Sequence, residues 1–257
     1  MGHGDLALTV IGAGPAYTDL PDSAGAAYLV AGAGSAILLD LGQGAFPRLA
    51  RTIDPSRLDA VVVSHLHPDH FIDLVPLRHY LVYQFQPSRR VRVLGPSGLA
   101  GRLDAVFGDP GFAARALDHE DVRPGVRQIG RLELEWRLVA HTAESYAVRV
   151  STGDGPGLVY SGDCGSIDDL APLIRTGDTL LVEVSFGPDP VPADALHLNA
   201  PLIAEMVAAT RPDQTFLTHL QMGFDGPESV QIVEAAAAGS PVTLVAPGDR
   251  FTIGRPA

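Results

Sequence analysis

The stretch Ser64-His65-Leu66-His67-Pro68-Asp69-His70 follows directly on the apolar run Ala60-Val61-Val62-Val63. A short unbroken run of β-branched apolar residues predicts a buried strand. The polar stretch is then the loop at the strand's end, where a rigid scaffold can aim several side chains at one point. Three imidazoles and a carboxylate within six residues are donors for a first-row divalent metal, zinc being the commonest occupant. One loop cannot close such a site, so the remaining ligands must come from elsewhere in the chain.

Working outward, several other polar residues stand at the ends of apolar runs. The strand predicted over 132–139 ends at Ala140-His141-Thr142, the one over 158–160 runs into Ser161-Gly162-Asp163-Cys164-Gly165, and the one over 214–218 ends at His219. Glycine beside Asp163 permits a close backbone approach. The strand over 179–184 ends in Glu183-Val184-Ser185-Phe186, and a Pro/Asp-rich loop then carries His197 to a helix over 199–209, with Asn199 as its N-cap and Pro201 in its first turn. Further strands are read at 6–11, 26–30, 36–40, 58–63, 91–94, 146–150, 242–245 and 250–253, and helices at 42–52, 71–85, 97–107 and 227–238. Residues 108–119 read as a loop and His119 as a solvated histidine within it, while His79 reads as packed or exposed on its helix. Gly12-Ala13-Gly14-Pro15 lacks the third glycine of a dinucleotide loop and is read as a turn at the mouth of the site. Cys164 is read as a small buried residue. The pattern is two β-rich halves, each with strands followed by helices, which predicts two sheets packed face to face with helices outside, in one continuous domain over 1–257.

The chain has 257 residues, 46% hydrophobic and 19% charged, enough for one large core. A net charge of -12 and the lack of a basic stripe argue against a large nucleic acid as partner. Small anionic substrates stay open, because bound cations would reverse the local field. One cysteine, Cys164, excludes an intrachain disulfide framework and fits a reducing compartment. Residues 1–5 carry no basic leader region, and no stretch approaches the length of a membrane span. The cytoplasm is the expected address.

Taken in order, His65, His67, Asp69, His70, His141, Asp163 and His219 resemble the metallo-β-lactamase superfamily over nearly the whole chain. Glu183-x-x-Phe186, His197 at a helix start and Leu217-Thr218-His219-Leu220 resemble its RNase Z branch and related cyclic-nucleotide phosphodiesterases. The resemblance implies an α+β fold, a four-layer αββα sandwich of two mixed sheets with a dinuclear metal site between them. His65, His67 and His141 would hold one ion, Asp69, His70 and His219 the other, and Asp163 would bridge them. Two Zn2+ are implied, with Mn2+ or Fe2+ suited to the same donors. The implied chemistry is attack by a metal-bridging hydroxide on phosphorus or a carbonyl carbon, with Asp69 orienting the water, His197 protonating the leaving oxygen and Glu183 holding His197 in the useful tautomer. A homodimer is a further expectation from the resemblance.

A bridging Asp163 argues against a true β-lactamase, and His67 stands where flavodiiron oxidoreductases carry Glu. Lactonases and thioesterases share all seven ligands and form the alternative reading. A non-catalytic scaffold would have no need of them. Transfer-RNA processing depends on a long arm between the His141 and Asp163 positions, where this chain has only 21 residues. The expected substrate is therefore a small anionic phosphodiester, such as a cyclic nucleotide, rather than RNA.

Overall fold

The computed structural model describes residues 6–153 and 155–254, so the expectation about a leader at residues 1–5 lies outside the described residues. Among the described residues, fourteen strands form two seven-stranded sheets. The first holds β1 (Leu6–Gly12), β2 (Ala27–Gly32), β3 (Ser35–Leu39), β4 (Ala60–Val62), β5 (Val91–Gly95), β6 (Leu117–Asp121) and, from the far end of the chain, β14 (Arg250–Ile253). Its order is β14-β1-β2-β3-β4-β5-β6. The second holds β7 (Gly125–Ile129), β8 (Leu132–Leu138), β9 (Tyr146–Ser151), β10 (Leu158–Tyr160), β11 (Thr179–Glu183), β12 (Gln214–Thr218) and β13 (Val242–Leu244), in the order β13-β12-β11-β10-β9-β8-β7.

Both sheets are built alike. Hairpin-linked strands pair antiparallel, then crossover-linked strands pair parallel: β3 to β6 in the first sheet and β10 to β13 in the second. The inner parallel strands β4, β10, β11 and β12 are buried on both faces, which is why they read as largely apolar runs. In β11, Leu181 points into the core between the sheets while Leu180 and Val182 point to the outer helices.

The helices are α1 (Phe46–Thr52), α2 (Pro68–Phe71), α3 (Leu74–Tyr83) and α4 (Leu99–Phe107) in the first half, and α5 (Ile167–Leu170), α6 (Ala200–Thr210) and α7 (Gly226–Ala236) in the second. Leu49, Phe71, Leu77 and Leu103 join the first set to one sheet, and Leu170, Ile203, Val207 and Val233 join the second set to the other. Between the sheets, Tyr28, Val30, Leu39, Trp136, Val148 and Leu181 share one interior. The result is the four-layer αββα sandwich, and Asn199 caps α6 by accepting from the Leu202 N–H at 3.0 Å.

Three local expectations are corrected. The helix read over 71–85 is broken at Ile72–Asp73, because the Asp73 N–H donates to the Leu41 carbonyl (3.1 Å) and its carboxylate accepts from the Phe46 N–H (2.8 Å). The helix read from 42 starts at Phe46. The loop read over 108–119 gives way to β6, so His119 lies in a partly buried strand. That strand is an edge, where Arg92 pairs with Glu120 (2.6 Å) and Arg90 with Asp118. A charged edge strand carries no alternating apolar signal.

Candidate metal centre

All but one of the site residues stand at, or in the segment following, the carboxyl end of a parallel strand, where ligands of α/β sheets gather; the exception, His141, follows antiparallel β8. The loop after β4 supplies His65 and His67, and α2 supplies Asp69 and His70. Asp163 follows β10, Glu183 ends β11, and His219 follows β12. His141 lies beyond β8, and His197 comes from the loop before α6. The structure brings all nine together. It forms one group of His65, His67, His141 and Asp163 and another of Asp69, His70 and His219, each with its ligand atoms within 4.8 Å of one another. Two glycines allow the approach. Gly162 has φ +56° and a Cβ there would meet that of Ser64 at 2.9 Å, while a Cβ on Gly165 would stand 2.7 Å from Leu196 Cα.

In the first group, His67 Nδ1 faces both His65 Nε2 and His141 Nε2 at 3.0 Å. His141 Nδ1 lies 2.8 Å from the Leu196 carbonyl, which can only accept, so Nδ1 carries the proton and Nε2 presents a lone pair. Burial holds His65 well below its ordinary pKa, helped by neighbouring His70, and burial likewise lowers His67 and His141. Three neutral imidazoles thus turn nitrogens toward one point, a ligand's protonation state.

In the second group, Asp40 organises His70. Its Oδ2 lies 2.8 Å from His70 Nδ1 and also accepts from Tyr160 (2.6 Å) and the Ser64 hydroxyl (2.7 Å). His70 Nε2 is then buried without a hydrogen-bond partner, 3.3 Å from Asp163 Oδ1, which has none either. Burial works against a charge on His70, yet the Asp163 and Asp40 carboxylates raise its pKa well above the usual value. Surroundings this favourable to a proton equally favour a metal cation. His219, at φ +59°, puts Nε2 3.4 Å from Asp69 Oδ2 and 3.5 Å from Asp163 Oδ2. Its backbone N–H donates to the Ala13 carbonyl (3.0 Å), which places the Gly12–Pro15 turn against the cluster. Asp163 faces His141 through Oδ2 (3.6 Å) and His70 through Oδ1, so its two oxygens reach both groups.

Orphaned buried donors with lone pairs converging in two adjacent groups fit a pair of divalent cations. Metal loading should therefore raise the melting temperature, since a ligand bound only by the folded state at 100 times its Kd adds about 2.7 kcal/mol. Differential scanning calorimetry with and without a chelator checks this; an unchanged transition would count against occupancy.

Beside the two groups, His197 Nδ1 lies 2.9 Å from Glu183 Oε1 and 3.9 Å from Asp163 Oδ2. Buried Glu183 also accepts from the Cys164 N–H (2.9 Å) and the Ser185 N–H (3.1 Å). Burial pulls the His197 pKa down, but the Glu183 hydrogen bond and charge lift it above the ordinary value. Burial pushes the Cys164 thiol up to about 12, so it is no nucleophile at neutral pH. His79 and His119 lie outside the site. His79 is packed among Tyr83, Phe107 and Phe112.

The family model for the β-lactamase superfamily domain matches residues 36–220. The chain belongs to the metallo-β-lactamase superfamily. An uncharacterized protein of Mycobacterium leprae is 32% identical over 268 residues, covering 100% of this chain and 93% of its own. The probable metallo-hydrolase YhfI of Bacillus subtilis is 25% identical over 224 residues, 84% of this chain and 87% of YhfI. The YhfI crystal structure superposes with a TM-score of 0.83 over 96% of this chain and 99% of that one, at 21% identity. Human tRNase Z, short form, gives a TM-score of 0.71 at 18% identity, again over 96% and 99%. A diphosphatase of the PhnP family gives 0.73 at 17% identity, over 96% and 97%. The superfamily fold, with RNase Z-like relatives, is thus established, and with it a metal-dependent hydrolase.

Proposed function

We propose that this chain is a dinuclear-metal hydrolase of small phosphodiesters, with a cyclic nucleotide as a suitable substrate. The observation that supports it above all is the Glu183–His197 pair set beside Asp163, a proton carrier that the metal ligands alone do not supply. The shared interior of the two halves supports treating residues 1–257 as a single hydrolase domain, and the buried single thiol supports a reducing, cytoplasmic setting.

His65, His67 and His141 would hold one ion, Asp69, His70 and His219 the other, and Asp163 both. Zn2+ suits these donors, as Mn2+ or Fe2+ would. When bound, two such ions supply Lewis acidity toward phosphoryl oxygens and a water of lowered pKa. Asp69 turns Oδ2 toward His70 and His219, which leaves Oδ1 to orient the attacking water. Glu183 keeps the proton on His197 Nδ1, so Nε2 of the protonated ring can deliver a proton to the leaving oxygen. Among the described residues between His141 and Asp163 the chain forms the antiparallel β9–β10 pair and no further strand or helix, which supports a small substrate over RNA.

Metal-loaded protein assayed against bis(p-nitrophenyl) phosphate, a cyclic nucleotide and a lactone tests this reading. We expect turnover of the diesters and a loss in His197→Ala of about 10²- to 10⁴-fold on the cyclic nucleotide, whose leaving alkoxide needs a proton. The loss should be smaller on the nitrophenyl ester, whose leaving group needs none. Hydrolysis of the lactone alone, indifferent to His197→Ala, would instead establish the lactone or thioester reading.

A further inference from the structure

Beyond His219 the site wall becomes the wall of a second cleft, of about 360 Å³. Clefts of about 300–1,000 Å³ are the size that small molecules occupy. Three links join it to the metal centre. Ala13, whose carbonyl holds the His219 N–H, lines it. Leu220 and Gln221, which directly follow His219, line it as well. Phe224 lines it too, its ring 5.6 Å from that of Phe186, which is itself 6.0 Å from the His197 ring.

The lining is mostly apolar, from Pro15 and Leu20 on one loop to Met222, Phe224 and Val245 on the others. Leu20 is 68% exposed and Met222 47%. Apolar side chains gathered and exposed at the rim of a cleft mark a binding surface. No arginine lines the cleft, and its one acidic group is Asp19. A second phosphate would find no partner there and would face a carboxylate, so the occupant is not an anion, and the mostly apolar lining favours one without charge.

We propose that this cleft is the subsite for the organic ester group that the phosphodiester substrate keeps after cleavage, and that the group is an uncharged aromatic ring. The inference rests on the phosphodiester reading above. It gives that reading a selectivity: diesters with one flat apolar arm are preferred over those with a small alkyl arm or a second anionic one.

The test uses metal-loaded full-length protein and two diesters with the same leaving group, phenyl p-nitrophenyl phosphate and methyl p-nitrophenyl phosphate. Wild type should prefer the phenyl ester by about 10-fold or more in kcat/KM, as apolar pockets discriminate. The double variant Leu20→Asn/Met222→Asn changes exposed side chains and leaves the core intact. It should lose that preference, its kcat/KM on the phenyl ester falling to within a few-fold of that on the methyl ester. Equal wild-type rates on the two esters, or a preference that survives the double variant, overturns the subsite and leaves the phosphodiester reading standing. Turnover of neither ester by protein that hydrolyses a lactone overturns both. Sedimentation of the same proteins decides the other occupant: a dimer in wild type that becomes a monomer in the variant, with ester preference unchanged, would give the cleft to a second copy of the chain.

Discussion

Asp163→Ala is expected to abolish hydrolysis and to lower the metal content of the purified protein from two ions to one or none. Asp163 is 3% exposed, and its two oxygens face His65, His70, His141 and His219 at 3.3–3.7 Å. Burial alone would raise its pKa, but His219 and His70 hold it well below the usual carboxylate range, so an anion is present at any working pH. Removing it leaves the imidazoles without the carboxylate that reaches both groups, and neither cation group keeps its full donor set. Lewis-acid stabilisation of several kcal/mol is then lost, which at 1.4 kcal/mol per decade is about 10³-fold in kcat or more. Asp163→Asn, which keeps the shape, separates charge from packing and should be nearly as inactive. Elemental analysis beside the kinetics checks the account; either variant retaining two ions and full activity would sink it.

The second large effect lies far from the chemistry. Arg149 and Asp178 form a fully buried pair, Nε to Oδ2 at 2.8 Å and an Nη to Oδ1 at 2.8 Å. Asp178 also accepts from the Gly157 N–H (2.7 Å) and the Arg175 N–H (2.9 Å), tying β9 to the turn that enters β11. Asp178→Ala would strand a guanidinium and two backbone donors in the interior. Breaking one side of a buried pair costs about 3–5 kcal/mol. Replacing both partners with apolar residues should cost markedly less, because no bare charge remains. Urea denaturation of wild type, the single variant and the double replacement measures this, and a single variant as stable as wild type would refute it.

Much of this architecture was legible because the parallel strands advertise themselves. Ala60–Val62, Leu158–Tyr160, Thr179–Glu183 and Gln214–Thr218 are unbroken buried runs, each leading directly to a polar residue of the centre. Edges and breaks were not legible. In β6 the side chains Asp118 and Glu120 satisfy themselves against Arg90 and Arg92 of the neighbouring segment, a pairing that sequence order hides. The break between α2 and α3 comes from the Leu41 carbonyl, a partner on another loop. Asp40 was missed although its signal matches that of Asp163, a carboxylate closing an apolar strand. It lacks histidine neighbours in the sequence, and only the structure reveals that it holds His70, Ser64 and Tyr160 together.

The Leu196 carbonyl that fixes His141 belongs to the residue just before His197. One backbone unit therefore serves both the ligand cluster and the proton carrier, and the two cannot be moved independently. Any insertion into the 187–196 loop is tolerable only upstream of Leu196, where added length can bulge into solvent without shifting that shared anchor. Redesign of the entrance should begin there.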